Sequence, residues 1–340
     1  MADRVRVGLI GAGRIGRGHA RALAGQVPDA RLVVVADVVG AAAESVAAEV
    51  GAPRWSADPA MVTADPEIDA VVICASTNSH AGLIAAAAEA GKAVFCEKPI
   101  ALDLESTDAA IAAVERAGVP FQIGFQRRFD PAYVKAKALI DSGALGRIEH
   151  VRETMRDPAP PPRAYLEVCG GLYRDMVIHS FDAVRWLMGD DPSQLFATGS
   201  ALVDPMFAEL GDIDTSVVTL RFPSGSLAVI DNSRRSGFGY DVRTEVFGSE
   251  GALMIGEHRE TPMLRLDGQG VHTDHLYFFL ERFAEAYVDE LRAFARAVRE
   301  GTAPSPGAAD ARAALALAYA AETSRAEGGP VDPGRWLRPA

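Results

Sequence analysis

Three glycines near the start of the chain constrain its fold more than any other feature. Gly11, Gly13 and Gly16 are spaced Gly-x-Gly-x-x-Gly, directly after an apolar run at residues 5–10 and before a helix-forming stretch at residues 15–24. In this position the first glycine permits a tight turn, the second lets a phosphate approach the backbone, and the third lets the helix pack against the strand. The pattern predicts a strand–turn–helix unit that binds a dinucleotide.

Asp37 supplies the second part of this signature. It follows an apolar run at residues 31–36, about twenty residues beyond the glycines, where an acidic residue accepts hydrogen bonds from ribose hydroxyls. Its carboxylate would repel a 2′-phosphate, and the next two residues are valines, so NAD is favoured over NADP. Arg14 and Ile15, between the second and third glycines, are assigned to the same cofactor site. The alternative is that the glycines only form a turn and Asp37 only caps a strand.

The first third of the chain alternates β-branched runs with alanine-rich helical stretches, which is typical of βαβ units. We predict an α/β Rossmann domain over residues 1–123, with a doubly wound parallel sheet. The predicted strands are 5–10, 31–36, 70–74, 93–96 and 120–124, and the predicted helices are 15–24, 41–50, 80–90 and 104–117.

Beyond residue 124 the pattern changes to consecutive strands separated by turn residues. This change predicts a second, α+β domain over residues 124–340, with a large, mostly antiparallel open sheet. The predicted strands are 147–155, 194–203, 215–222, 226–232, 242–247 and 252–255, and the predicted helices are 131–142, 173–187, 278–299 and 307–326.

Composition excludes several other classes of protein. The 340 residues are 49% apolar and 24% charged, which is typical of a folded globular chain rather than a disordered one. Three cysteines without a Cys-x-x-Cys pair indicate reduced packing residues, not a disulfide scaffold. A net charge of −12 and only two short arginine pairs argue against nucleic-acid binding. Without a leader pattern or a membrane-spanning run, the expected location is the cytoplasm.

Lys98 is the first candidate for catalysis. It follows the predicted strand 93–96, and in an open α/β sheet the carboxyl ends of the strands face the ligand crevice. Pro99 restricts the conformation of Lys98 and so helps to fix its direction. A surface ion pair is the alternative explanation for a lysine here.

Asp175, His179 and Asp182 form a second candidate group. Their spacing of four and three residues places them on one face of the predicted helix 173–187. An unperturbed histidine titrates near pH 6.5 and can take and return a proton, and an aspartate one turn away can orient it. A solvated helix N-terminus is an equally simple explanation of the same residues. A metal is not predicted, because no third ligand stands at a recognisable spacing.

Taken together, the motifs resemble those of the Gfo/Idh/MocA oxidoreductases, and within that family the inositol 2-dehydrogenases. The resemblance covers almost the entire chain. It is carried by the glycine motif with Asp37, by Thr77-Asn78-Ser79-His80, by Glu97-Lys98-Pro99, by residues 124–130, and by Gly170-Gly171 followed by Asp175 and His179.

The resemblance implies NAD-dependent oxidation of a cyclic polyol, myo-inositol to 2-keto-myo-inositol, by a catalytic group of Lys98, Asp175 and His179. The resemblance implies that His179 is the base and that Lys98 stabilises the developing charge on oxygen. Asp175 then orients Lys98 and His179. It places Thr77, Asn78, His80 and Glu97, with Lys98, at the cofactor. It also implies assembly into a homo-oligomer, a tetramer.

Gln126, Arg127, Asp157 and Asp182 are candidates for binding the hydroxyl groups of the small-molecule polyol, together with the catalytic group. The alternative is that Arg127, Asp157 and Asp182 each form a structural ion pair, or that Asp182 only supports His179. Some inositol dehydrogenases carry His and Asn near the positions of Met155 and Asp157, so another inositol isomer or a pyranose remains an alternative substrate. From a different class, a non-catalytic NAD or sugar sensor could use the same scaffold. Such a sensor would be free to lose Lys98, Asp175 and His179.

Overall fold

A computed structural model describes residues 4–256 and 259–338 of the chain. The chain forms two compact units. The first unit comprises the chain up to Phe129 and the segment Glu285–Leu315. The second unit comprises Asp130–Ala284 and the chain from Ala316 onward.

The first unit is built on a parallel sheet of six strands in the order β3-β2-β1-β4-β5-β6. Its five longer strands are largely buried because helices cover parallel sheets on both faces, whereas the short edge strand β3 is mostly exposed. The order reverses between β1 and β4, which creates the switch point where doubly wound sheets bind ligands. The strands are β1 Val5–Ile10, β2 Ala30–Ala36, β3 Arg54–Ser56, β4 Ala70–Ile73, β5 Ala93–Glu97 and β6 Phe121–Gly124.

Five helices connect these strands, and a 3₁₀ turn, Gln126–Phe129, follows the last one. Asp103 caps the fifth helix by accepting a hydrogen bond from the Ser106 N–H, and Gly118 ends it in the left-handed conformation. The sequence pattern predicts neither β3 nor the third helix, because both are too short to show a periodicity. The helices are α1 Arg14–Gly25, α2 Gly40–Val50, α3 Ala60–Ala64, α4 Thr77–Glu89 and α5 Leu104–Ala117.

The second unit is built on a six-stranded sheet in the order β12-β11-β7-β10-β9-β8. All neighbouring strands are antiparallel except β7 and β10, so the prediction of a mostly antiparallel open sheet is confirmed. A separate two-stranded hairpin follows it. The strands are β7 Ile148–Arg156, β8 Gln194–Ser200, β9 Thr215–Arg221, β10 Leu227–Ser233, β11 Asp241–Gly248, β12 Gly251–Ile255, β13 Arg265–Asp267 and β14 Gly270–His272.

The helices of the second unit differ from prediction at one important place. The run predicted as one helix over residues 173–187 begins with a π-helical turn, Tyr173–Val177, before the α-helix α8. A π-turn closes i to i+5 hydrogen bonds and often occurs at functional sites, and no α-helical periodicity predicts it. The helices are α6 Pro131–Asp141, α7 Arg163–Leu166, α8 Ile178–Met188, α9 Pro205–Glu209 and α10 Phe279–Arg282.

The three remaining helices are α11 Ala284–Glu300, α12 Ala308–Glu327 and α13 Gly334–Leu337. The single helix predicted over residues 278–299 is therefore wrong, because Phe283 separates α10 from α11. Helix α11 packs into the core of the first unit through Leu291 and Phe294, and Phe294 meets the ring of Phe95 on β5 edge to face. Across the described ranges, no helix has the length and apolar character needed to cross a bilayer.

Candidate functional site

The loop after β1 has the geometry that its glycines predict. Gly11 has a φ of +102°, and a Cβ at this position would lie 2.4 Å from the carbonyl oxygen of Cys74. A Cβ on Gly16 would lie 1.8 Å from the carbonyl oxygen of Gly11. Only glycine fits at either place, because any side chain would clash with backbone atoms. The two glycines thus allow α1 to begin directly against the loop.

Gly13 faces open space instead. A Cβ built on it meets no atom within 4 Å, and in the described part of the chain no side chain caps the N-terminus of α1 that follows. The first amide groups of a helix have no partner within the helix and carry partial positive charge. This open cradle at a helix N-terminus suits the pyrophosphate of a dinucleotide.

Asp37 ties the glycine loop to the end of β2. Its Oδ2 accepts a hydrogen bond from the Ala12 N–H at 2.7 Å, and its Oδ1 accepts one from the Val39 N–H at 2.8 Å. The residue is partly exposed, and each carboxylate oxygen retains acceptor capacity after one backbone bond. Asp37 therefore holds the loop and still presents an acceptor surface to a ribose.

His80 lies in α4 and is 2% exposed. One ring nitrogen, Nδ1, lies 2.8 Å from the carbonyl oxygen of Pro99, and the other, Nε2, lies 2.9 Å from that of Ala75. Burial lowers the pKa of His80, against the opposing effect of the two carbonyl groups. The imidazole thus joins the loop after β4 to the loop after β5. A direct contact of His80 with the cofactor stays a prediction.

The remaining sequence-predicted residues of the first unit occupy the carboxyl ends of β4, β5 and β6. Lys98 follows β5 and is partly exposed, and the peptide bond from it to Pro99 is cis. Thr77 and the exposed Asn78 begin α4. Glu97 is the last residue of β5, where its Oε1 lies 2.7 Å from His19 Nε2. Gln126 and Arg127, in the 3₁₀ turn after β6, are 3% and 1% exposed.

In the second unit, Asp175 lies at the centre of a partly buried polar network. Its Oδ1 accepts a hydrogen bond from the Tyr165 hydroxyl at 2.7 Å, and its Oδ2 accepts one from Arg234 Nη2 at 2.8 Å. The same guanidinium donates from Nη1 to Asp157 Oδ2 at 3.2 Å. Arg234 therefore links the two aspartates that the sequence singles out.

These two carboxylates stabilise the positive charge of Arg234. The side chain is 3% exposed, and such burial disfavours its charge, but Asp175 and Asp157 outweigh this effect and raise its pKa above the ordinary arginine value. Burial also raises the pKa of Tyr165, and the neighbouring Asp175 adds to the effect, so the phenol stays a hydrogen-bond donor. Removing one partner of such a buried pair typically costs about 3–5 kcal/mol. The network fixes Asp175 firmly.

His179 and Asp182 lie one turn apart on α8. Asp182 is 1% exposed, whereas His179 is partly exposed. Asp175 itself belongs to the preceding π-turn. Helix α8 is buried on most sides. His179 is thus a partly accessible proton acceptor on a largely buried helix.

Sequence reasoning missed the roles of Arg234 and Tyr165. The strand alternation contains a signal for Arg234, because Ala228, Ile230 and Asn232 are all buried and residue 234 continues their parity. Inward parity on β10 shows that this arginine is not a surface residue. Nothing comparable marks Tyr165, which lies on the short helix α7.

The comparisons with known proteins agree with both units. Residues 5–125 match the model described as an oxidoreductase family with an NAD-binding Rossmann fold, and residues 133–254 match the GFO/IDH/MocA C-terminal domain. The myo-inositol 2-dehydrogenase of Thermotoga maritima is 44% identical over 95% of this chain and 97% of its own length. The inositol 2-dehydrogenase of Rhizobium meliloti is 45% identical over the same shares.

A solved structure of myo-inositol dehydrogenase from Lactobacillus casei, in complex with NAD(H) and myo-inositol, is also similar. It matches with a TM-score of 0.87 and 27% sequence identity, over 97% of this chain and 96% of the other.

Proposed function

We propose that this chain, which belongs to the Gfo/Idh/MocA family of oxidoreductases, is an NAD-dependent dehydrogenase that oxidises myo-inositol to 2-keto-myo-inositol. The observation that carries the proposal is the open cradle at Gly13 in a chain that is similar, over nearly its full length, to myo-inositol and inositol 2-dehydrogenases. The predicted family, fold class and cofactor are confirmed by these matches.

The proposed chemistry divides among three side chains. His179 takes the proton of the substrate hydroxyl as the carbon–oxygen double bond forms, and Asp175 holds the orientation needed for that transfer. Lys98 donates a hydrogen bond to the oxygen as negative charge develops on it. When bound, NAD supplies the acceptor for the hydride that leaves the same carbon.

The polar side chains named in the two units suit a polyol substrate. A polyol hydroxyl both donates and accepts hydrogen bonds, and carboxylates and guanidinium groups offer paired partners of both kinds. We assign Asp157 and Asp182 in the second unit, and Gln126 and Arg127 in the first, to hydroxyl recognition. Asp157 is already oriented by Arg234 at 3.2 Å, so its carboxylate is fixed before substrate arrives.

A second candidate is a dehydrogenase of another inositol isomer or of a pyranose sugar. The observation that favours it is Met155, which is buried on β7 two residues before Asp157. A thioether offers only a weak hydrogen-bond acceptor, so this side chain contributes little to selecting one orientation of a substrate hydroxyl. A non-catalytic sensor is less well supported, since Lys98, Asp175 and His179 are all present.

A spectrophotometric screen tests this function directly. The purified chain is mixed with NAD or NADP and with myo-inositol, scyllo-inositol, other inositol isomers and aldoses, and NADH formation is followed by absorbance. We expect the highest kcat/KM with NAD and myo-inositol. Highest activity with another inositol isomer or with an aldose would support the second candidate. No reduction of NAD or NADP with any of these polyols would refute the dehydrogenase assignment.

Replacement of Asp37 tests the cofactor assignment. We expect Asp37→Ala to weaken NAD binding and to narrow the preference for NAD over NADP, because it removes the ribose acceptor and the charge that repels a 2′-phosphate. The measurement is the ratio of kcat/KM values for the two cofactors. Asp29→Ala, a change in a loop before β2, is the control. An unchanged ratio in Asp37→Ala would contradict the ribose contact.

One face of the second-unit sheet supports assembly of the chain with itself. It leaves large apolar side chains exposed, which in a folded chain marks an interaction surface: Phe196, Val217, Leu227, Phe247 and Met254. We assign this face to a homo-oligomer, a tetramer by family resemblance. A monomeric mass in light scattering would contradict it. The cytoplasmic location stays a prediction, tested by cell fractionation.

A further inference from the structure

Three titratable side chains meet in the interior of the first unit. They are His19 on α1, Glu97 at the end of β5 and Glu290 on α11, and one ligand atom of each lies within 4.8 Å of the others. His19 is 1% exposed and Glu290 is fully buried. Neither residue belongs to the cofactor and catalytic groups assigned above, whereas Glu97 directly precedes Lys98.

Glu290 is the carboxyl group of this cluster that lies farther from His19. The short contact, 2.7 Å, joins His19 Nε2 to Glu97 Oε1, while Glu290 Oε1 lies 3.9 Å from the same nitrogen. Within the described residues, neither carboxyl oxygen of Glu290 has a hydrogen-bond partner. An ionised carboxylate in such a place is strongly disfavoured, because burial removes its hydration and nothing replaces it. Glu290 therefore keeps its proton unless a cation lies beside it, either a bound metal ion or a protonated His19 at 3.9 Å.

The distances favour the proton. Two ligands of a tetrahedral divalent ion, each about 2.0–2.2 Å from it, stand roughly 3.3 Å apart. The 2.7 Å between His19 and Glu97 is instead a hydrogen-bond length. Burial raises the pKa of Glu290 well above its ordinary value, and the charge of Glu97 adds to this effect.

Among the residues that the structure describes, two further titratable groups approach the cluster. Cys74, directly after β4, interacts with it, but burial raises the pKa of that thiol too, so it is neutral. Tyr287, on α11 itself, contacts the cluster through the ring of His19, with centroids 5.7 Å apart. Within the described residues, Glu290 thus faces His19 from α1, Glu97 from β5 and Cys74 after β4, and Tyr287 on its own helix lies against His19.

We propose that Glu290 is a positioning residue, which stays a neutral carboxylic acid in the working enzyme and so lets Glu97 keep its hydrogen bond to His19 beside Lys98. If Glu290 ionised, two carboxylates within 4.8 Å would repel each other, and Glu97 would shift together with the residue that follows it. This inference rests on the proposed function of Lys98. It predicts that ionisation of Glu290 contributes to the alkaline limit of the enzyme.

The test uses three variants. Glu290→Gln keeps the size of the side chain and is neutral at every pH, whereas Glu290→Ala removes the group. Glu285→Gln changes an exposed glutamate at the start of the same helix and is the control. We expect Glu290→Ala to lower kcat with little change in KM for NAD, and Glu290→Gln to restore kcat and to extend the alkaline limb of the kcat profile to higher pH.

Thermal unfolding gives a readout that needs no substrate. The folded wild type holds a proton on Glu290 that the unfolded chain releases above its ordinary pKa, so wild-type stability falls as the pH rises toward the folded pKa. The stability of Glu290→Gln should not fall in this way, because glutamine has no proton to release. The gap in Tm between this variant and wild type should widen by roughly 2–4 °C per pH unit above neutral pH. Glu285→Gln should follow wild type.

Three results would overturn the inference: a Tm gap that does not change with pH, a failure of Glu290→Gln to restore kcat, or one equivalent of divalent metal in wild type that Glu290→Gln loses. The Tm measurement separates this inference from the proposed function. A widening gap in a protein that oxidises no polyol would refute the dehydrogenase and leave Glu290 a neutral acid.

Discussion

Replacing His179 with alanine is expected to lower kcat by about 10²–10⁴-fold at neutral pH, the usual contribution of a positioned general base. His179 is a partly exposed histidine of α8, next to a π-turn whose Asp175 is held by Tyr165 and Arg234. Without the imidazole, solvent hydroxide must remove the hydroxyl proton. Activity of the variant should therefore continue to rise with pH, instead of levelling off once the base is deprotonated.

His272→Ala is the matched control, because this histidine lies on the hairpin strand β14 and pairs with Asp267. It should keep the wild-type profile. The measurement is the pH dependence of kcat from NADH absorbance, together with circular dichroism to verify folding. Full neutral-pH turnover by a folded His179→Ala protein would remove the proton-transfer role.

Lys98→Ala is expected to reduce kcat by about 10²–10³-fold, the range seen when one preorganised donor to a developing oxyanion is lost. The residue follows β5 at the sheet edge where doubly wound sheets bind ligands, and His80 holds the next residue, Pro99, through its carbonyl. NAD binding should be little changed, because the glycine loop and Asp37 hold the adenosine and phosphate groups.

The control for this prediction is Lys135→Ala, which removes an exposed lysine of α6. Fluorescence titration with NADH gives the cofactor Kd, and steady-state kinetics give kcat. Lys98→Arg adds a second comparison, because it preserves the charge but not the compact ammonium geometry. Undiminished kcat in Lys98→Ala would exclude the lysine from the chemical step. A large increase in the Kd for NADH would assign the lysine to cofactor binding instead.

Sequence periodicity predicted the first sheet well for a physical reason. Strands buried on both faces are nearly continuous apolar runs, and the Ala-rich helices between them end at glycines such as Gly51 and Gly118, which adopt the left-handed conformation there. The same reasoning failed where an element is short or non-standard. The strand β3 and the π-turn before α8 show no periodicity that a reading of hydrophobic spacing could detect.

Helix α11 illustrates a different limit. Its apolar residues predict a helix but do not tell which core they enter, because hydrophobic burial is non-directional. The fold brings it back to the first unit, where Leu291 and Phe294 complete the packing around β5. This return of the chain also places Glu290 against His19 and Glu97, residues that are far apart in sequence.

By itself, then, the sequence determined the glycine cradle, the acidic residue at the end of β2 and the identity of the candidate catalytic side chains. Each of these follows from local rules, since a turn, a helix N-terminus or a strand end needs only a few consecutive residues. Only the tertiary structure decided that Arg234 joins Asp157 to Asp175 and that Glu290 lies buried beside Glu97. The free energy of ionising a group inside a protein depends on its burial and on partners from distant segments. The spacing of residues along the sequence contains no information on either.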